Sequence, residues 1–420
     1  MKDLLAVSWS MPPLVLPRSL QVARSLSHLS QLGWQSTVIC VDPRSVRRSI
    51  KLDAALEAEY RQRFELVRVS SPEANLFYRF FWRLFPKQGT RPDQKIVWVP
   101  RAVRAARALL ASRPFDAILT FAQPWSDHLV GLELKKTSAK PWIAHFSDPW
   151  IDTPYRQYDP KSEKICRHLE SEVIRNADAV IFITRQTAER VMSKYPPEWK
   201  HKVHVLPHGY DPLVAPFPPA EHSERLRLVY TGSFYGNRTP EGLLHALAQL
   251  DAAQPIAGQI ELLLVGSRTA EYRPLAAQLG LEDVVRFFGP VSFTESQTLA
   301  ASAGVLLVID APSQGESLFL PSKLVDYLAF NKPILGLTPI AGASADLLQR
   351  LECPVVAPDD VPGIAAALRT LLDQQRSGAL ATSAGFRRVA QEYDIQQTTL
   401  RLEEIILGVM SLPPQTPARV

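Results

Sequence analysis

Only three cysteines, Cys40, Cys166 and Cys353, are scattered over 420 residues. An odd number with no Cys-x-x-Cys and no Cys/His pairing argues against a disulfide frame or a zinc site. No run reaches the roughly 18 apolar residues a bilayer-crossing helix needs. The opening Met-Lys-Asp-Leu-Leu-Ala-Val-Ser-Trp-Ser is too short in apolar residues for a secretory signal, and no small-residue cleavage site follows. It reads as a first strand and points to a cytoplasmic protein. Asp-x-Asp is absent throughout. A Mg²⁺ ion on phosphates ordinarily needs carboxylate ligands, so the expectation is chemistry without a metal.

What is present is ordinary for a globular protein: 46% hydrophobic and 21% charged residues. The length argues for two or three domains, and 35 prolines imply many punctuated loops. The net charge of +5 conceals an asymmetry. Residues 1–206 hold 32 Lys and Arg against 20 Asp and Glu, whereas residues 207–420 hold 15 against 22. The first half is therefore +12 and the second −7. Only the first half suits an anionic partner, for which anionic lipid and nucleic acid are the usual candidates.

Short apolar runs alternate with helical patterns. Strands are expected at 4–8, 37–41, 64–69, 117–121, 142–145 and 179–183, with helices at 18–32, 99–112 and 163–176. Around 207–224 the pattern breaks into a Pro-rich linker. It restarts with strands at 227–230, 260–265, 284–287, 305–309, 333–337 and 354–357, and ends in a helix near 394–408 and a loose tail. Such alternation implies βαβ units and parallel sheets covered on both faces. The expected architecture is α/β, two doubly wound Rossmann-like domains. The first spans 1–206, a linker 207–226 and the second domain 227–392, and the terminal helix of 393–420 is expected to pack back on the first domain. Ligands of such domains bind beyond the carboxyl ends of the strands, and a cleft between two domains is a favoured place.

The loop after strand 227–230 reads Thr231-Gly232-Ser233-Phe234-Tyr235-Gly236-Asn237-Arg238 before a helix at 242–250. Glycine permits the tight turn, and Arg238 carries a donor fork suited to phosphate oxygens. Farther on, Pro321 opens a helix with Ser322 and Lys323 in its first turn and Asp326 on nearly the same face. A hydroxyl and an ammonium could meet an anion there, and a carboxylate could accept from both ribose hydroxyls. His145-Phe146-Ser147-Asp148-Pro149-Trp150 closes another strand. A neutral histidine beside a carboxylate could orient a hydroxyl or move a proton near pH 7.

Together these residues resemble family 4 of the retaining glycosyltransferases, of the bacterial surface-polysaccharide type. The likeness runs through Gly232-Ser233 with Arg238, Val265-Gly266, Phe288-Gly289-Pro290-Val291, and Pro321-Ser322-Lys323-Leu324-Val325-Asp326-Tyr327-Leu328-Ala329 with Lys332-Pro333-Ile334. In the first half it includes Pro12-Pro13, Asn176-Ala177-Asp178-Ala179 and Pro207-His208-Gly209-Tyr210-Asp211. The resemblance implies the GT-B architecture, a nucleotide-sugar donor (a UDP- or GDP-sugar), retention of anomeric configuration, and no other cofactor.

It also implies roles for residues. Gly232, Ser233, Arg238, Ser322 and Lys323 would hold the donor diphosphate and Asp326 the ribose. Where the family has Arg after its glycine this chain has Ser233, which leaves Arg238 as the diphosphate contact. The family's first glutamate falls on Leu318, with Glu316 nearby as a substitute toward the donor sugar. The paired glycines of the first loop are absent, so Arg18 or Ser19 would take their part. His145 and Asp148 stand as the catalytic candidates, without metal.

Residues 76–87 form a short pattern with Phe80 and Phe81 on an apolar side and Arg79, Arg83 and Lys87 bordering it. Aromatics flanked by basic residues suit a bilayer interface. Arg101, Arg104 and Arg107 add a basic stripe. The implied acceptor is a glycan or a lipid-linked glycan, with the protein peripheral on the inner face of the plasma membrane and no nucleic-acid role. Two other readings stay open: a nucleotide-sugar epimerase of the same architecture, and a non-catalytic nucleotide-sugar-binding protein.

Overall fold

A computed structural model describes residues 2–47, 49–75, 80, 92–153, 158–212, 225–313 and 315–413. The chain forms two compact units. One comprises Met1–Gly209 with Ile395–Val420, and the other Tyr210–Asp394.

The first unit carries β1 (Lys2–Val7), β2 (Trp34–Val41), β3 (Glu65–Val69), β4 (Ala117–Ala122), β5 (Trp142–Phe146), β6 (Ala179–Phe182) and β7 (Val203–Val205). They align in the order β3-β2-β1-β4-β5-β6-β7, every pair parallel. Its helices are α1 (Pro17–Gln31), α2 (Ala54–Tyr60), α3 (Val99–Ser112), α4 (Ser126–Lys135), α5 (Pro160–Asn176) and α6 (Arg185–Met192).

The second unit carries β8 (Leu226–Thr231), β9 (Ile260–Val265), β10 (Val285–Phe288), β11 (Val305–Ile309), β12 (Ile334–Leu337) and β13 (Val355–Val356). Their order is β10-β9-β8-β11-β12-β13, again all parallel. Among them run α7 (Glu241–Ala253), α8 (Arg273–Gln278), α9 (Phe293–Ala301), α10 (Ser322–Tyr327), α11 (Ala343–Arg350), α12 (Val361–Arg376) and α13 (Phe386–Gln391). The last helix, α14 (Ile395–Met410), belongs to the first unit.

Period-two geometry explains the continuous apolar strands. In β1, Leu5 and Val7 enter the core on one face of the sheet while Leu4 and Ala6 enter the core on the other. The same split separates Leu228 and Tyr230 from Val229 in β8. Helix α14 presents Leu402, Ile406 and Val409 to the core holding Val22, Leu26 and Leu29 of α1. Its Glu403 accepts from Lys2 Nζ at 2.7 Å and from Trp34 Nε1 at 2.9 Å.

In both sheets the order reverses at one place, between β1 and β4 and between β8 and β11. The segments that follow β1, β8 and β11 at these points hold Arg18, Ser19, Gly232, Ser233, Arg238, Glu316, Ser322, Lys323 and Asp326. The basic–aromatic segment is outside the described residues: Arg79, Phe81, Arg83 and Lys87 all fall there, and only Phe80 is described, as exposed. Residues 213–224 of the linker are also outside. Among the described residues no helix is long and apolar enough to cross a membrane.

Candidate functional site

The second unit gathers charge at the β8–β11 switch point. Strand β8 ends in Tyr230 and Thr231, and Gly232 turns the chain away. Lys323, in the first turn of α10, reaches back so that its Nζ lies 4.3 Å from the centroid of the Tyr230 ring and donates to Tyr230 Oη at 3.0 Å. The ammonium also lies over Gly232, where any Cβ would collide with it. A side chain at 232 would therefore push the Lys323 ammonium out of this position. Arg238 is buried with its Nη2 2.7 Å from Asp310 Oδ1, and Asp310 Oδ2 accepts from Ser344 Oγ at 3.2 Å. Its guanidinium also lies 4.7 Å from the Tyr235 ring centroid.

Arg238 is thus paired with Asp310, while Lys323 feels that carboxylate through charge without an ion-pair contact. Although Lys323 keeps some exposure, burial of its ammonium and repulsion from Arg238 lower it to about 7, against the pull of Asp310. Burial raises Asp310 above the usual carboxylate range, opposed by Arg238 and Lys323. An added anion would relieve the repulsion between the cations and replace lost solvation.

Ser233 offers its carbonyl to Tyr230 Oη at 3.4 Å. Ser322 and Asp326 sit on α10, both partly buried, with Asp326 next to Tyr327, whose hydroxyl accepts from Thr231 N at 2.9 Å. Glu316 is exposed on the preceding loop, and no described contact joins it to Arg238 or Lys323. Asp310, Tyr230 and Ser344 escaped the sequence reading. An acid directly after the apolar run 305–309 was the available signal for Asp310.

The first unit builds a different crest. His145 lies in β5, buried, with its ring 5.4 Å from Phe121 and stacked 6.1 Å from His208. Arg18, in the first turn of α1 after Pro17, is buried too. Its Nη2 is 2.9 Å from His145 Nδ1 and 3.2 Å from the His145 carbonyl, and its Nη1 is 3.4 Å from Gln21 Oε1. The guanidinium packs 5.3 Å from the Phe121 centroid. Ser19 is wholly buried with no hydrogen-bond partner for its hydroxyl. Asp148 accepts from Ser147 Oγ and Gln123 Nε2, both at 2.9 Å, and no described hydrogen bond links it to His145.

Burial, reinforced by Arg18 and His208, holds His145 well below the usual histidine range, so its ring is neutral at pH 7. Asp148 is raised by burial against Ser147, Arg18 and Gln123. Asp127 and His128, at the start of α4, were not foreseen. Asp127 Oδ2 accepts from Trp9 N at 2.8 Å, while its Oδ1 and His128 Nε2 are buried without partners. Among the described residues no three His, Cys, Asp or Glu side chains gather as metal ligands.

Comparison with known proteins places the chain in a family. Residues 19–209 match the model described as glycosyl transferase 4-like domain, and residues 225–374 match that of glycosyl transferases group 1. D-inositol 3-phosphate glycosyltransferase of Corynebacterium kroppenstedtii is 26% identical over 245 residues, covering 51% of this chain. The match spans about half, 49%, of that relative's length. Sucrose-phosphate synthase from Thermosynechococcus elongatus superimposes with a TM-score of 0.68 at 18% identity, over 98% of this chain and 100% of that one. The apo lipopolysaccharide outer core galactosyltransferase WaaB gives 0.64 at 14% identity, over 97% and 99%. These structures share the fold of two parallel α/β units, and with both halves matched the chain belongs to the group 1, family 4 glycosyltransferases of GT-B fold.

Proposed function

We propose that the protein moves a sugar from a nucleotide-sugar donor, a UDP- or GDP-sugar, to a glycan or lipid-linked acceptor, with retention and without a metal. The observation that carries this is the buried Arg238–Asp310 ion pair with the buried ammonium of Lys323 beside it, where the two cations repel each other. A departing nucleoside diphosphate would bring negative charge beside both cations, and cations positioned before the reaction stabilise it without reorganising. In this reading Gly232, Ser233 and Ser322 line the diphosphate, Asp326 takes the ribose and Glu316 reaches toward the sugar. His145 and Asp148 serve the reacting end, with Arg18 and Ser19 beside them. The family match of both units supports this division of labour.

A surface-polysaccharide acceptor is supported by the likeness to a lipopolysaccharide galactosyltransferase. A place on the inner face of the plasma membrane agrees with the basic first half and with Arg101, Arg104 and Arg107, all exposed along α3. Each would add about 1 kcal/mol near anionic lipid. Sedimentation with vesicles containing phosphatidylglycerol at low salt tests this, and failure to co-sediment removes the membrane from the proposal.

Metal-free calorimetric titration with UDP, GDP, ADP and CMP tests the donor site. One nucleotide should bind selectively, and Arg238→Ala should abolish that binding. A folded protein that binds none of the four overturns the donor assignment. Binding without sugar transfer to any acceptor favours the non-catalytic reading, and isomerised donor favours an epimerase.

A further inference from the structure

We infer that Arg18 is a positioning residue that locks the His145 ring as its Nε2–H tautomer, so that the histidine serves sugar transfer as a hydrogen-bond donor and not as a base. The inference rests on the proposed transferase reading for its catalytic part, but the lock itself follows from hydrogen-bond chemistry. A guanidinium has five N–H donors and no acceptor. Arg18 Nη2 stands 2.9 Å from His145 Nδ1, so Nδ1 must accept through its lone pair. The single proton of the neutral ring is then confined to Nε2. A second proton would place an N–H of the imidazolium against the guanidinium, two donors and two positive charges face to face.

The arrangement is held from several sides. Arg18 Nη2 also donates to the His145 carbonyl at 3.2 Å, so the guanidinium grips main chain and ring of one residue. Phe121 lies beneath both the guanidinium and the imidazole. Burial lowers Arg18 to about 10, with Asp148 and then Asp127 opposing, so it remains charged at neutral pH. The other titratable groups acting on His145 are His208, stacked at 6.1 Å, and His128 of α4, and both are kept neutral by burial. No carboxylate accepts from the His145 ring in any described hydrogen bond; the residue's own carbonyl favours a ring proton, but burial and Arg18 outweigh it and Arg18 Nη2 donates to that carbonyl.

The consequence concerns what the histidine can do. With Nδ1 engaged, His145 offers only an N–H, which can steady negative charge developing on the leaving group or orient a sugar hydroxyl. A base at this position would need a free lone pair, and none remains on the nitrogen that Arg18 occupies.

The test is histidine ¹⁵N NMR of the full chain, with the His145 signals assigned by their loss in His145→Gln. The wild type should show the Nε2–H tautomer without titration between about pH 5 and 8. Arg18→Met should release the lock, giving mixed tautomers or a ring that titrates. It should also cut kcat about 100-fold with the donor KM changed less than about threefold, since the donor's cations lie in the other unit. Arg18→Lys, still a charged donor, should restore the tautomer and part of kcat. An Nδ1–H or doubly protonated His145 in the wild type overturns the lock. So does an Arg18→Met protein that binds nucleotide normally yet keeps the wild-type His145 spectrum. If the lock is seen but the wild type transfers no sugar, the transferase reading fails and takes the catalytic role with it, while the tautomer assignment stands.

Discussion

The two units share one architecture, parallel strands reversing order about a central pair, yet their crests carry opposite electrostatic designs. In the first unit a cation, Arg18, is spent on a neutral histidine, with the raised carboxyls of Asp127 and Asp148 nearby. In the second, a buried ammonium lies beside a buried Arg238–Asp310 pair and is repelled by its guanidinium. The contrast runs against bulk charge: residues 1–206 are net +12, and the cation surplus sits in the net −7 half. Fold supplies the platform and a few loop residues supply the chemistry. Net charge reports on a surface, whereas a site depends on a handful of desolvated groups.

The comparison extends to the purpose of buried ion pairs. In the first unit Lys135 Nζ meets Asp178 Oδ2 at 2.6 Å, and the same oxygen accepts from Trp142 N at 2.7 Å. That pair ties α4 to β5 and the turn before β6. Removing its acid leaves a buried ammonium, so Asp178→Ala should lower stability by about 3–5 kcal/mol, read by chemical denaturation. A loss below about 1 kcal/mol would erase the distinction between a structural pair and a functional one.

Lys323→Met should do the reverse. The ammonium is already disfavoured by burial and by Arg238, so stability should change by less than about 1 kcal/mol. Nucleotide-sugar affinity should fall about 10–100-fold, from the loss of a charged hydrogen bond worth about 1.5–3 kcal/mol. Equal damage to stability and binding would make Lys323 a framework residue.

A pH dependence sharpens the same point. Lys323 is charged below about 7 and neutral above it, and an anion binds the charged form. Affinity for a nucleotide sugar, whose diphosphate has no ionisation in this range, should weaken as pH rises through about 7, with proton uptake on binding near neutrality. Lys323→Met should flatten the profile, and a wild-type affinity constant from pH 6 to 8 would contradict the assignment. The smallest effect belongs to Asp326→Ala, which should weaken binding about tenfold if the carboxylate holds the ribose, close to 1.4 kcal/mol. Unchanged affinity would remove it from the site.

Much of the framework was legible because buried parallel strands announce themselves as apolar runs between turns. Strand 260–265 coincides with β9 and strand 305–309 with β11. The edge strand β7 escaped, since three residues reading Val-His-Val carry too little pattern. Helix α14 is amphipathic in its own sequence, and its Leu402 and Ile406 enter the core that holds Leu26 and Leu29 of α1. At the sites, Gly232, Arg238 and Lys323 could be placed on a turn and a helix start by local signals. Asp310 could not be paired with an arginine 72 residues away, because no local pattern marks that partner. The same holds for Arg18 and His145, separated by 127 positions.

Local sequence was enough for the periodicities: alternating strand and helix, the βα turns that carry charged residues, and family membership through short motifs. These depend on neighbours along the chain, where apolar spacing and turn chemistry act over a few residues. Tertiary structure alone decided the protonation logic. Lys323 becomes a weak base because folding strips it of water beside Arg238, and His145 becomes a fixed donor because folding sets Arg18 against its Nδ1. Desolvation and Coulomb forces are set by distance in space and by burial, and neither exists until the chain has closed around the group.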